Sequence, residues 1–352
     1  MDLQSIVIYL GLTLVAFIVA KYAELTDSKK VVWLLVLLFS LVAGLRAISV
    51  GIDTKTYNSI FNSISNGNTE NIYGIEKGFI YICTALLHIW NSNQFLFFLF
   101  GFVSYALCIF RFWKDREYIS FRWAVLFYCV LFFAFSLNGL RQFVAASIVF
   151  FATGFIKDGK YIRFVIAILI ATQIHLSAVI GFAYLFFDML FLKYYNLKRK
   201  FVILLVAGGI GLFLISILSS ILSRYLNYFD TRTDSLGAML FVKFALLFAS
   251  YIIIEKPQDA EEQYFCRSNR FFYLIGLLLT ISSYFYLYMG RVGIYFYIFE
   301  GIYIGYLFKK KMKSPLDLLL KSAYVAILLY YIYQNLTSGS NGELPYRFFW
   351  QN

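Results

Sequence analysis

At 352 residues, 61% of them apolar and 21% aromatic against only 14% charged, the chain has too little polar material to coat a water-soluble domain, which excludes a globular cytosolic enzyme. A net charge of +12 would suit nucleic acid, but the basic residues fall in small clusters between apolar runs, the pattern that sets membrane topology, so no nucleic-acid partner is expected. Cys83, Cys108, Cys129 and Cys266 form neither a CxxC nor a Cys/His ligand pattern, so neither a disulfide scaffold nor a zinc site is expected.

Apolar runs fall in order over residues 3–20, 31–48, 95–111, 121–137, 140–156, 161–174, 176–192, 200–222, 237–254, 271–289, 291–308 and 316–334. A span needs about 20 apolar residues, fewer when tucked inside a bundle, so these runs predict about twelve transmembrane helices. The expected fold is an all-α polytopic membrane protein, with residues 1–352 forming a single transmembrane domain. The first run follows Asp2, carries no early Lys or Arg, exceeds a signal-peptide core and lacks a small-residue cleavage pattern; it is expected to remain as the first helix. A further apolar piece over residues 78–90 has the length of an interfacial or re-entrant helix.

The status of that short piece decides the topology. If it does not cross, Lys21, Lys29 and Lys30 share a side with the clusters around Arg111–Arg122, Lys157–Arg163, Lys193–Lys200, Lys256–Arg270 and Lys309–Lys313. The other side then receives only Arg46, Lys55, Lys77, Arg141, Arg224, Arg232, Arg291 and Arg347. By the positive-inside rule the first set is cytoplasmic and both termini are external. The external face holds a loop with its interfacial helix over residues 49–94, the turns at Arg141, His175 and Arg291, a second loop over residues 223–236, and the tail over residues 335–352. The cytoplasmic loops contain neither GxxxxGK[ST] nor GxGxxG, and the chain shows no internal repeat.

Charge at an external helix end is not needed for orientation, so its default reading is functional. Arg141 follows Asn138 and Gly139 and is expected to open a helix, followed by Gln142; Arg291 follows Gly290 at another expected helix start, with Tyr295 one turn on. Two guanidinium forks beside free backbone N–H groups suit a lipid-linked diphosphate, whereas either alone also fits interfacial snorkelling. His175, just before Ser177, can accept a proton from a sugar hydroxyl or hydrogen-bond a departing phosphate; the plain alternative is a turn histidine bonded to a carbonyl. In the loop, Asp53 and Glu76 can bind sugar hydroxyls or act as general base, and both also read as ordinary solvated charges.

Arg46, Thr54, Tyr57, Gln142 and Tyr295 are the expected substrate-binding residues around them, with Arg232, Tyr346 and Arg347 as weaker candidates. Lys243, about two turns inside a span, is costly unless it faces a cavity or a partner and is expected to line a cavity. The tyrosines flanking Arg291 also fit an aromatic belt. With no HExxH and no cluster of His and carboxylates, no metal and no cofactor are expected.

In this order, Arg46, Gly51-x-Asp53-Thr54-x-x-Tyr57, Glu76-x-Gly78-Phe79, Asn138-Gly139-x-Arg141-Gln142-x-x-Ala145, His175-x-Ser177-Ala178, Gly290-Arg291 and Pro345-Tyr346 resemble the EpsG family of Wzy-like bacterial polysaccharide polymerases. The resemblance runs from about Arg46 to Tyr346, and it departs at Lys77, where many relatives carry proline. It implies a multi-pass glycosyltransferase of the bacterial inner membrane, with GT-C-like architecture and chemistry on the periplasmic face. Such an enzyme moves a growing glycan from undecaprenyl diphosphate onto the non-reducing end of the next lipid-linked repeat unit, so donor and acceptor are both undecaprenyl-diphosphate-linked oligosaccharides. Membrane lipid, a chain-length regulator and a flippase are the implied partners. By the same resemblance Arg141 and Arg291 hold the donor diphosphate, His175 assists at the acceptor or leaving group, and Asp53 or Glu76 handles the acceptor hydroxyl. The rivals are a lipid-linked oligosaccharide flippase, which needs polar groups through both membrane halves and repeats, and an integral-membrane acyltransferase, which wants a deeper histidine.

Overall fold

The computed structural model describes residues 2–70, 72–189, 237–254, 257, 259–284, 287–339 and 341–351. The expected span over 200–222, the loop over 223–236 and Arg232 lie outside the described residues. Within them the chain is helical, and Arg46 and Phe348 form an isolated antiparallel bridge. The helices are α1 (Leu3–Thr26), α2 (Lys29–Gly44), α3 (Thr54–Ser65), α4 (Lys77–Ile89), α5 (Asn93–Lys114), α6 (Phe121–Asn138), α7 (Leu140–Lys157) and α8 (Tyr161–Ile174). A 3-10 turn (Leu176–Gly181) then leads into α9 (Phe182–Phe187), and α10 (Ala238–Ile253), α11 (Ala260–Ser282), α12 (Leu287–Tyr297), α13 (Glu300–Lys309) and α14 (Pro315–Thr337) complete the described set.

Five of these, α1, α5, α6, α7 and α14, are long and apolar enough to cross a membrane, as a polytopic membrane protein requires. α6 and α7 form the middle of the bundle and are mostly buried, joined by the tight turn at Gly139. α1 and α14 lie at its edge and expose Leu3, Leu14, Leu316 and Leu319 on one side, the apolar surface that lipid covers.

Among the described residues the apolar runs and the helices agree in order, with three differences, one being that the run from 176 opens as the 3-10 turn ahead of the short α9. α11 begins at Ala260, well before the run at 271, because Asp259 accepts the Glu262 N–H at 2.9 Å and Glu261 and Glu262 occupy its first turn; capping chemistry extends the helix past its hydrophobic stretch. The run over 291–308 is split between Tyr297 and Glu300 into α12 and α13. Arg291 therefore sits inside α12, about one turn from its start, and does not open a helix as expected.

The two ends of the bundle differ in how charge is disposed. One end gathers the lysine-rich turns, where Arg116 meets Asp27 at 2.8 Å, Lys114 meets Asp158 at 2.8 Å, Lys157 meets Glu261 at 3.2 Å and Lys310 meets Glu262. At the other end the N-terminus, the end of α2 and the C-terminal tail are laced together. Arg347 pairs with Asp2 at 2.8 Å, the Ala47 N–H donates to the Arg347 carbonyl at 2.8 Å, and the Gly51 N–H donates to the Gly342 carbonyl at 2.7 Å. Gly51 has φ +95°, and a Cβ there would lie 2.7 Å from Thr54 Oγ1 and 3.0 Å from Asn138 Oδ1, so only glycine lets the strap approach this closely.

α3 and α4 fold back on that same end. Tyr57, Phe61 and Ile64 recur at helical spacing on α3 and pack with Phe79, Cys83 and Leu87 of α4 against Phe97, Phe100, Leu140, Val144 and Ile174, a second apolar core beside the main one. Glu76 at the start of α4 touches α7 and the turn after α8, while Gln94, just past its end, donates to the Arg46 carbonyl at 3.0 Å. Glu76 at the start of α4 and Gln94 in the first turn of α5 thus both make contacts at this end of the bundle.

Candidate active site

Four elements bring the expected catalytic residues together. Arg141 is in the first turn of α7, Glu76 precedes α4, His175 ends α8, and Arg291 lies in α12. The Arg141 guanidinium pairs with Glu76 Oε2, and Glu76 Oε1 accepts the Leu176 N–H at 2.7 Å. Glu76 therefore ties the start of α7 to the turn that carries His175. Close approach of α4 to α8 makes this possible: a Cβ on Gly78 would lie 2.5 Å from the Gln173 Cβ and 2.8 Å from its carbonyl oxygen. The Arg141 guanidinium also lies 5.6 Å from the Phe79 ring centroid, and its backbone N–H points at the Tyr57 hydroxyl, 3.5 Å away.

His175 is held through one ring nitrogen. The Ser177 N–H donates to Nδ1 at 3.3 Å, the Ser177 hydroxyl is 2.7 Å from the same nitrogen, and Tyr295 of α12 is 2.8 Å from that hydroxyl. A nitrogen that accepts a backbone N–H carries no proton, so the neutral ring bears its proton on Nε2. The hydroxyl chain then runs from Tyr295 to Ser177 to Nδ1. Burial pushes the His175 pKa down to about 3, and the charges of Arg141 and Arg291 act in the same direction. The imidazole is thus neutral at physiological pH and presents a hydrogen-bond donor.

Gln142 and Arg291 complete the junction between α7 and α12: the Gln142 side-chain amide donates to the Arg291 carbonyl, and the Arg291 side chain is exposed. Asp53 is half-buried at the start of α3, makes no side-chain capping bond, and its charge acts on the Tyr57 phenol. One constellation therefore contains Asp53, Tyr57, Glu76, Arg141, Gln142, His175, Arg291 and Tyr295.

Other expected binding residues have surroundings of a different kind. Arg46 is fully buried; its guanidinium donates to the Ala43 carbonyl and, at 3.2 Å, to the Leu137 carbonyl, and lies 4.5 Å from the Phe97 centroid. Thr54 is also buried and donates to the Val50 carbonyl at 2.7 Å. Tyr346 is sealed inside, with its hydroxyl on the Val42 carbonyl at 2.6 Å, and Arg347 is spent on Asp2. These four hold the end of α2, the loop and the tail in place.

Lys243 differs most from expectation. It is wholly buried, pairs with the equally buried Glu300 at 2.9 Å, and donates to the Tyr297 hydroxyl at 2.7 Å, while Tyr273 donates to Glu300 at 3.1 Å. Glu300, the partner of Lys243, is a residue that the sequence reading did not single out. Glu300 was findable, since a carboxylate in an apolar span demands a partner and Lys243 was a cation in the same position. Among the described residues no three His, Cys, Asp or Glu side chains gather in a way that could hold a metal ion.

The profile of the EpsG family matches residues 29–348, nearly the whole chain and every residue of this constellation. No curated protein and no solved structure matches the chain. With that coverage, the chain belongs to the EpsG family, a family of Wzy-like polysaccharide polymerases.

Proposed function

We propose that the chain joins lipid-linked glycan repeat units at this constellation, transferring the growing chain from undecaprenyl diphosphate onto the non-reducing end of the incoming unit. The observation that carries the reading is the convergence of Arg141 and Arg291 on one neutral histidine at the end of the bundle away from the lysine-rich turns. Two permanent cations of planar, forked geometry suit the phosphoryl oxygens of a diphosphate, and they stabilise it more as charge grows on departure than before.

In this reaction the acceptor hydroxyl oxygen attacks the anomeric carbon of the donor chain. The bond from that carbon to the diphosphate oxygen breaks, and its electron pair leaves with the diphosphate, held by Arg141 and Arg291. The neutral His175 ring keeps its proton and hydrogen-bonds the departing oxygen through Nε2–H, stabilising the charge that grows there. Its ring cannot serve as base at the nitrogen that Ser177 occupies. Of the two carboxylates, Glu76 is committed through both oxygens to Arg141 and Leu176, whereas Asp53 has no capping duty, so Asp53 takes the acceptor proton. Gln142, Tyr57 and Tyr295 orient these groups.

The reading places the site on the periplasmic side of a bacterial inner membrane, with both termini there, in a GT-C-type enzyme that uses no metal and works beside a flippase and a chain-length regulator. It is tested by incubating purified protein with undecaprenyl-diphosphate-linked repeat units and separating the products. The expected result is a ladder that survives EDTA and is lost in Arg141→Ala, Arg291→Ala and His175→Ala. A ladder that survives all three substitutions removes the site; one abolished by EDTA and restored by a divalent cation removes the metal-free mechanism.

A further inference from the structure

At the end of the bundle that carries Arg141, a groove of about 300 Å³ runs between α3, the turn from α4 to α5 and the C-terminal tail, within the size range of ligand clefts. None of the described residues that line it is charged, and most carry side-chain amides. Those amides are tied to one another. Asn93 spends both side-chain N–H groups, one on Asn58 Oδ1 at 2.7 Å and one on Asn62 Oδ1 at 2.6 Å, and the Ser65 hydroxyl donates to Asn91 Oδ1 at 2.8 Å. Asn58, Asn62 and Asn91 are thereby fixed by their oxygens, and their amide nitrogens have no partner among the described residues. Gln94 is held the other way round, its amide nitrogen on the Arg46 carbonyl at 3.0 Å, and it and Asn93 keep their oxygens as acceptors. A merely solvated polar face needs no such lacing, because water satisfies each amide singly.

The chemistry of the lining selects the ligand. Donors and acceptors side by side without fixed charge match a group that does both at once, as a hydroxyl does and a phosphate, a carboxylate or a metal ion does not. In the same lining Phe349 is 42% exposed, and its backbone N–H on the Leu45 carbonyl at 2.9 Å holds it in place. An aromatic face attracts the slightly positive C–H groups of a pyranose ring, the apolar surface that a sugar offers. Asn58 and Asn62 stand on the helix whose Tyr57 receives the Arg141 N–H, so α3 joins the groove to the candidate active site. We infer that the groove binds a neutral stretch of the glycan away from its reacting end, with hydroxyls on Asn58, Asn62 and Asn91 and a ring face on Phe349. The glycan as occupant rests on the polymerase reading above, and the groove holds sugar, not diphosphate.

Saturation-transfer NMR of the full-length protein in detergent tests it, with the lipid-free repeat-unit oligosaccharide, released by mild acid from undecaprenyl-diphosphate-linked units, as the probe. The wild type is expected to bind it. Each hydrogen bond lost weakens binding about fivefold, so Asn58→Ala/Asn62→Ala loses about 25-fold. Phe349→Ala, which leaves the backbone bond to Leu45 in place, loses about fivefold. Asn62→Ala alone, confined to an exposed side chain, also loses about fivefold and guards against a folding defect. The control Asn66→Ala/Asn68→Ala removes two amides just outside the groove and is expected to bind as the wild type does. Arg141→Ala/Arg291→Ala is expected to lose the polymerisation ladder and keep the lipid-free sugar. A wild type that binds the sugar but builds no ladder would therefore remove the reaction and leave the groove standing. No binding by the wild type, wild-type affinity in both Asn58→Ala/Asn62→Ala and Phe349→Ala, equal loss in the control, or equal displacement by a neutral glycine–asparagine peptide would overturn the assignment.

Discussion

Two cation–carboxylate pairs inside the helical bundle, Lys243–Glu300 and Arg141–Glu76, look alike in sequence and differ in what surrounds them. Lys243 and Glu300 are both 0% exposed, and the Tyr297 and Tyr273 hydroxyls hydrogen-bond them. Arg141 and Glu76 remain 13% and 20% exposed, and Arg141 keeps a buried Nε with no partner among the described residues. The first pair is closed upon itself and fixes α10 to α13. The second is held in orientation yet retains donors for something else. A charged group in a membrane interior is therefore assigned to structure or to substrate by whether its remaining hydrogen-bonding capacity is already used.

The difference makes opposite demands on mutation, and the largest effect belongs to the closed pair. Lys243→Met leaves Glu300 buried without a counter-ion and is expected to cost about 3–5 kcal/mol, while Lys243→Met/Glu300→Gln recovers much of that loss. Thermal unfolding in detergent reads both; a Lys243→Met protein with an unchanged midpoint would erase the contrast. At the open pair, Arg141→Ala is expected to leave the unfolding midpoint within about 1 kcal/mol of wild type, the scale of a partly exposed ion pair, while product formation falls about 10²–10³-fold. Loss of folding together with activity would make Arg141 a second structural charge.

The contrast sharpens at His175, where the hydroxyl chain predicts a positioning effect. Tyr295→Phe and Ser177→Ala are expected to lower kcat about tenfold with little change in KM, since they loosen the tautomer without touching the diphosphate. Ser177→Thr, which keeps the hydroxyl, is expected to retain most of the activity, and a Ser177→Ala enzyme of wild-type kcat would remove the chain from the mechanism. The smallest effect expected is in the pH profile of kcat/KM, which reports the free enzyme. With the His175 pKa depressed to about 3, the ring stays neutral throughout the neutral range, and no acid limb near 6.5 arises from it. The same depression has a sign for stability. Because the unfolded chain takes up the proton first, stability falls as pH drops from about 6.5 towards 3. An acid limb near 6.5 that disappears in His175→Gln would contradict the neutral assignment.

Much of this was legible in the chain and some was not. The helix order follows from hydropathy because lipid leaves a spanning segment little alternative to an apolar helix. α3 was readable too: Tyr57, Phe61 and Ile64 repeat at helical spacing, although its polar background hid it from a hydropathy scan. The grouping of Arg141, His175 and Arg291 followed from the bias of lysine and arginine between loops. Which residues bind and which brace did not follow, because Arg46 and Arg141 carry the same side chain at the same end of the bundle. Only the structure shows that Arg46 spends its donors on the Ala43 and Leu137 carbonyls. Tyr346 and Arg347 were similarly ambiguous until the tail was seen to return across the end of α2. The position of Arg291 inside α12 escaped as well, since Gly290 marks a helix start in sequence but is accommodated within the helix, where its missing Cβ would lie 3.1 Å from that of Ser283.

The central claim is that Arg141 and Arg291 grip one diphosphate, and a double-mutant cycle on binding of undecaprenyl diphosphate tests it most directly. Affinities are measured for the wild type, Arg141→Ala, Arg291→Ala and the double variant. If one diphosphate bridges both guanidinium groups, the double variant binds little more weakly than either single one, with a coupling above about 1 kcal/mol. Losses that add to within about 0.5 kcal/mol would place the two arginines at separate sites and contradict the account.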